Sequence, residues 1–178
     1  AIAVTLDPQY KPDELDILFN DCKPEILVAE TAFLEPLASF LPKFKFIKHI
    51  INLGSTPQSG GDFLNYEEIL AASLTDKLGV EPKPEDIALI LYTSGPAFLP
   101  RGVMLSHGGL VREAKIMGNA FQQTEKDVVM LYALPMYHVF GLAAVLLTSI
   151  FRGSTVVMVP GTGLSISKIC LLSRHFSR

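Results

Sequence analysis

The apolar and polar positions change period repeatedly along the chain, and each change marks an element. Ile2 to Leu6 is a short apolar run that predicts a strand. Pro12 then stands where a first helical turn tolerates a missing N–H, and Leu15, Leu18 and Cys22 recur on one helical face. Glu25 to Ala29 predicts a second strand. Thr31 is placed to cap a helix whose Phe33, Leu34, Leu37 and Leu41 recur at helical spacing. Phe46 to Leu53 predicts a third strand, and its flanking Lys43, Lys45 and Lys48 read as a solvated edge. Gly54 to Asp62 is Gly, Ser and Pro punctuation, followed by a short helix around Tyr66 to Ser73 and a polar connector to Asp86.

The second half is cleaner. Ile87 to Tyr92 is a continuous apolar run of strand length, the pattern of a central strand buried on both faces. Val103 to Leu105 continue in extended form, and Ser106 can cap a helix in which Leu110, Ala114, Met117 and Phe121 share a face. Strand Val128 to Ala133, a proline turn, helix Gly141 to Phe151, strand Thr155 to Val159 and helix Ser165 to Phe176 follow. Strands separated by helices predict an α/β fold with a largely parallel sheet flanked by helices, as one domain over residues 1–178.

One stretch invites a different reading. Val128 to Phe151 carries no charged side chain over 24 residues, long enough to cross a bilayer. Pro135, Tyr137 and His138 interrupt it, and neither half spans a membrane alone, so a buried strand, turn and helix of an α/β core is the better account.

Composition narrows the partners. Fifteen Lys and Arg against eighteen Asp and Glu give a net charge of −3, with no basic excess for a nucleic acid. The 178 residues can bury roughly 70% of the unfolded chain's surface. Cys22 and Cys170 form neither a disulfide framework nor a metal-spaced pair, which suits a reducing, cytoplasmic setting. The first residue is Ala1 and the first segment is a strand, so the chain is expected to begin inside a longer protein.

Chemistry concentrates where the Ile87–Tyr92 strand ends. Thr93, Ser94 and Gly95 lead through Pro96, Ala97, Phe98, Leu99 and Pro100 to Arg101 and Gly102. Hydroxyls and backbone N–H groups donate to phosphate oxygens, and a nearby cation balances their charge. Read without context, the same residues also suit a turn that uses Gly95 and Gly102 for backbone freedom and sends Arg101 to solvent.

The stretch resembles the signature loop of the adenylate-forming (AMP-binding) superfamily, Tyr-Thr-Ser-Gly-Thr-Thr-Gly-x-Pro-Lys-Gly-Val followed by a hydrophobic pair and Ser or Thr-His. That superfamily includes acyl-CoA synthetases, luciferases and peptide-synthetase adenylation domains. Leu6-Asp7-Pro8-Gln9-Tyr10 with Glu14-Leu15 is similar to the family's early strand and helix. Leu134-Pro135-Met136-Tyr137-His138-Val139-Phe140-Gly141 resembles its second hallmark, and Gly153 to Pro160 the strand beyond. The acyl-CoA synthetase branch fits best.

What the resemblance implies is an ATP-dependent ligase. It would join a carboxylic acid, expected to be a fatty acid, to AMP with release of pyrophosphate and then pass the acyl group to coenzyme A. Thr93, Ser94, Gly95, Arg101 and Gly102 would line the triphosphate, with Mg2+ accompanying ATP. Tyr137, His138 and Gly141 would line the acyl side, His138 nearest the reacting carboxylate. The family's later elements, its Thr-Glu pair, ribose-binding Asp, hinge and C-terminal domain with a catalytic Lys, would lie past Arg178. The chain is therefore expected to be a portion of the large N-terminal domain, inactive alone and able to self-associate through cut edges.

The loop departs from the pattern. Pro96, Ala97 and Phe98 replace Thr-Thr-Gly, which removes two hydroxyls and one N–H and puts a ring where phosphate would approach. Arg101 replaces Lys and keeps the charge. These changes keep open a second reading, a non-catalytic scaffold or interaction relative with a degenerate phosphate loop. An unrelated nucleotide-binding α/β protein is a third, opposed by three motifs in family order. No nucleophile–base pair of the hydrolase type and no metal-ligand spacing is present in the sequence.

Overall fold

The computed structural model describes residues 1–54, 62–73, 79–93, 100–124, 129–132 and 134–159. In chain order the elements are β1 (Ala3–Thr5), α1 (Pro12–Cys22), β2 (Ile26–Glu30), α2 (Thr31–Leu37), a 3-10 turn (Leu41–Lys43), β3 (His49–Leu53), β4 (Phe63–Asn65) and α3 (Tyr66–Ala72). There follow β5 (Ile87–Thr93), β6 (Arg101–Ser106), α4 (His107–Ala120), β7 (Val129–Tyr132), a π-helical segment (Phe140–Leu147), α5 (Thr148–Arg152) and β8 (Thr155–Met158). The chain divides into two compact units, one made of residues 7–81 and 94–100, the other of residues 1–6, 82–93 and 101–178.

The 7–81 unit is built from neighbouring βα segments. Helix α1 starts at Pro12, with the Lys11 N–H donating to the Glu14 carboxylate at 2.8 Å, and stops at Lys23, whose left-handed backbone returns its N–H to the Phe19 carbonyl. Strands β2, β3 and β4 pair in that order, all parallel, with Ile26 opposite His49 and Ile50 opposite Phe63. Leu15, Leu18, Phe19, Leu27, Leu34, Leu37, Leu41 and Phe44 are buried, and the rings of Phe19 and Phe44 meet edge to face at 5.2 Å.

Three expectations for this unit change. Glu30, not Thr31, stands at the cap of α2, because the Thr31 hydroxyl is spent on the buried Asn52 side chain at 2.9 Å. The third strand starts at His49, since Phe46 to Lys48 turn the chain back toward Glu25. It is also the central strand of its sheet; β4, which has no periodic signature, supplies the outer neighbour. Lys43 and Lys48 pair with Asp16 and Glu25 on the exposed surface.

The other unit assembles strands distant in sequence. β5 lies between β1 and β6, parallel to the first and antiparallel to the second, and β7 pairs with β8 in parallel. Leu89 and Leu91, on one face of β5, are buried, while Ala88, Ile90 and Tyr92 on the other are half-buried, so the expected burial on both faces is met on one only. The antiparallel β5–β6 hairpin is the exception to parallel pairing, possible because only a short connection separates the two strands. Ser106 caps α4 as its position predicts, accepting from the Gly109 N–H at 3.1 Å.

The predicted Gly141–Phe151 helix forms, but in two windings, π-helical over Phe140–Leu147 and α-helical over Thr148–Arg152. The hydroxyls of Thr148 and Ser149 are buried there and donate back to the carbonyls of Ala143 and Val145. Gly153 ends α5 in the left-handed conformation that favours glycine. Among the described residues no helix is long and apolar enough to cross a membrane. Val128, Ala133, the Gly54–Asp62 loop beyond its first and last residues and the predicted Ser165–Phe176 helix lie outside the described residues.

Candidate functional site

The first cluster lies at the open end of the β5–β6 hairpin. Thr93 ends β5 and Arg101 opens β6, and the register puts them directly opposite each other, followed inward by Tyr92 opposite Gly102. The hairpin therefore delivers a hydroxyl and a guanidinium side by side at the two mouths of the 94–100 connection. Both residues are exposed, and Arg101 makes no ion pair with a described residue. Ser94, Gly95, Pro96, Ala97 and Phe98 fall outside the described residues.

Gly102 needs no special dihedral; it is glycine for space. A methyl group there would stand 3.0 Å from Ile90 and 3.3 Å from the Tyr92 ring, which lies across it from the neighbouring strand. Tyr92 is thus a packing residue that guards the hairpin's geometry just inside Thr93 and Arg101.

The second cluster is the turn between β7 and the π-helical segment. The His138 N–H donates to the Pro135 carbonyl at 3.3 Å, and the His138 carbonyl accepts from the Leu142 N–H at 3.0 Å, so the residue closes the turn and starts the helix. Its imidazole is exposed, and Nδ1 accepts from the Phe140 N–H at 3.4 Å. In the neutral ring an accepting Nδ1 leaves the proton on Nε2. Leu134, Met136, Val139 and Phe140 are exposed around it and Tyr137 is half-buried.

Gly141 behaves differently from the surface residues of the turn. It is buried, and a side chain there would run into the Pro135 carbonyl and come within 2.8 Å of the Tyr132 hydroxyl. Tyr132, at the end of β7, is 3% exposed, its hydroxyl has no hydrogen-bond partner among the described residues, and burial raises its pKa.

One contact joins the two clusters. The Thr5 hydroxyl, at the end of β1, donates to the Tyr137 carbonyl over 3.5 Å, and Thr5 is paired with Leu91 on β5. Thr93 lies two residues further along, so by strand spacing its α-carbon is about 8 Å from that of Thr5. The His138 turn and the hairpin mouth are therefore neighbours at the carboxyl ends of parallel strands, where ligands bind in open α/β sheets. Thr5 and Tyr132 carry no signal of this role in the sequence, where each reads only as strand.

The remaining described histidines and Cys22 hold ordinary positions in their elements. His107 begins α4 and His49 begins β3, while Cys22 ends α1. Among the described residues no group of three His, Cys, Asp or Glu side chains converges to hold a metal ion.

Comparison with known proteins gives this arrangement a family context. A sequence model described as AMP-binding enzyme matches residues 1–175. The chain is 30% identical over 162 residues to 4-coumarate–CoA ligase from Pinus taeda, covering 89% of this chain and 29% of that protein. It is also 30% identical over 163 residues to the mitochondrial malonate–CoA ligase ACSF3 of Xenopus laevis, covering 90% and 26%. Its fold matches the crystal structure of the anthranilate CoA ligase AuaEII in complex with anthranoyl-AMP, with a TM-score of 0.85, 25% identity, and 99% of this chain against 34% of that one. The chain thus spans under a third of the length of the curated relatives named here.

Proposed function

The chain belongs to the AMP-binding enzyme family, and from that premise we propose that it supplies the phosphate-gripping and acid-positioning part of an ATP-dependent CoA ligase's large N-terminal domain. The observation that carries this reading is the Thr5 contact, which sets the Thr93–Arg101 mouth beside the His138 turn. In the first half-reaction the carboxylate oxygen attacks the α-phosphorus of ATP and pyrophosphate leaves. In the second the thiol of coenzyme A attacks the acyl carbonyl and AMP leaves.

Each residue has a definite task in that scheme. The Thr93 hydroxyl and Arg101 guanidinium, with Ser94 and Gly95, donate to phosphate oxygens. Gly102 keeps the hairpin straight beneath them. His138 presents its Nε2–H to the carboxylate, and Tyr137 and the apolar side chains around it form a wall. Gly141 acts indirectly, by letting the turn close. Mg2+ would come with the nucleotide and neutralise phosphate charge; among the described residues no group of three His, Cys, Asp or Glu side chains converges to hold it.

The apolar rim of Leu134, Met136, Val139 and Phe140 favours an acid with an apolar body, aliphatic or aromatic, over a short dicarboxylate. The test is pyrophosphate release and CoA-thioester formation from ATP and a panel of fatty, hydroxycinnamic, anthranilic and malonic acids. The assay uses a protein that carries these residues within a chain of its relatives' length. Acid-dependent turnover is expected, and its absence across the panel overturns the reading. The 178 residues alone are expected to release no pyrophosphate above a no-protein control.

Pro96, Ala97 and Phe98 favour a second reading, a scaffold relative that keeps the fold without the grip. Failure to bind ATP together with unchanged stability of an Arg101→Ala variant is the outcome that reading expects.

A further inference from the structure

The Tyr132 hydroxyl is an anomaly of the second cluster. It is buried and has no hydrogen-bond partner among the described residues, and phenylalanine would fill the same volume without desolvating a polar group. Yet it is placed at a particular point. The hydroxyl and the Pro135 carbonyl flank the same side of Gly141, close enough that neither leaves room for a methyl group there. The Pro135 carbonyl accepts from the His138 N–H over a long 3.3 Å, and a carbonyl has a second lone pair to offer.

We propose that Tyr132 is a positioning residue for His138: its hydroxyl is the stop against which the turn seats, poised to donate to the Pro135 carbonyl when the turn tightens on a ligand. The π-helical winding that begins at Phe140 supplies the slack, because its wider turn can absorb a small displacement at the helix start. A hydroxyl unpaired in one seating and paired in the other biases the turn toward the tight state. The inference deepens the role proposed for His138 and rests on it, so its test separates the two.

The experiment compares Tyr132→Phe with the parent protein. The first readout is the pair of imidazole 15N shifts of His138, which report whether Nδ1 still accepts from Phe140. The second is Tm, and the third is kcat with the KM for ATP in the turnover assay. Tyr132→Phe is expected to move the 15N shifts toward a mixture of tautomers, raise Tm by a few degrees through loss of the unpaired hydroxyl, and lower kcat about tenfold with the KM for ATP unchanged. Unchanged 15N shifts overturn the proposal, whatever Tm does. Altered 15N shifts with unchanged kcat uphold the positioning role and instead overturn the catalytic reading of His138.

Discussion

The β5–β6 hairpin mouth and the His138 turn each carry a motif glycine, and the two glycines are there for different reasons. Gly102 sits on the exposed edge strand, with a Tyr92 ring and an Ile90 side chain as its neighbours, and side chains can give way. Gly141 is enclosed by the backbone carbonyl of Pro135 and the Tyr132 hydroxyl, and the backbone cannot yield without moving the whole turn. A glycine in a recognised motif is therefore not automatically a place where a ligand approaches. Bulk at the hairpin glycine is met by side-chain movement, whereas bulk at Gly141 can be met only by moving the turn's backbone as a unit.

The sharpest way to break this contrast is Gly141→Ala. Forced displacement of Pro135 is expected to cost about 3 kcal/mol, read as a Tm lowered by on the order of 6–12 °C. A Tm within about 1 °C of the parent's would mean the turn is softer than its packing implies.

The second test addresses the hairpin connection. Pro96→Thr, Ala97→Thr and Phe98→Gly made together restore two hydroxyls, an N–H and open space. ATP binding by calorimetry is expected to tighten on the order of a hundredfold. Micromolar binding by the parent loop, left unaltered by the triple change, would refute the view that these three residues impair the grip.

Arg101→Ala separates binding from folding. With no described ion-pair partner, the side chain contributes little to stability, so Tm should hold while ATP affinity falls about tenfold or more. Equal affinity for ATP in variant and parent would remove Arg101 from the phosphate site.

Gly102→Ala is the mild counterpart of Gly141→Ala. Tyr92 and Ile90 need move only a few tenths of an ångström, so a loss under about 1 kcal/mol is expected in denaturant unfolding. A loss as large as that at Gly141 would erase the distinction between the two glycines.

The smallest expected effect is alkaline. Burial raises the pKa of Tyr132, and burial, then Asp7 and Glu14, raise that of Tyr10. A phenol whose pKa is higher folded than unfolded adds stability below pH 10 that is lost as pH climbs through the folded value. Tyr132→Phe should therefore flatten the fall in Tm above pH 10 relative to the parent, with Tyr10 accounting for part of what remains.

Much of the molecule follows from local pattern alone. The period-3.6 spacing of Leu15 and Leu18 after Pro12, the apolar run of Ile87 to Tyr92 and the Ser106 cap each specify an element through contacts within a few residues. The candidate loop was also visible as a hydroxyl, glycine and cation run after an apolar strand, though its roles came from the resemblance rather than from the spacing. What depended on distant partners was not. Thr31 looked like a cap until Asn52, 21 residues away, claimed its hydroxyl. β4 and the central position of β3 are fixed by pairing rather than by periodicity.

The sequence by itself determined most of the strand and helix order, β4 excepted, and singled out Thr93, Arg101 and His138 as candidates for the chemistry. Local propensity and side-chain type settle such things. Only the tertiary structure decided that β5 is flanked by β1 on one side and its own hairpin partner on the other. The same pairing joined the hairpin mouth to the His138 turn through Thr5. Only it enclosed Gly141 between Pro135 and an unpaired Tyr132 hydroxyl. Those facts arise from which surfaces meet, and a hydrogen bond across 132 positions of chain leaves no mark in the spacing of residues along it.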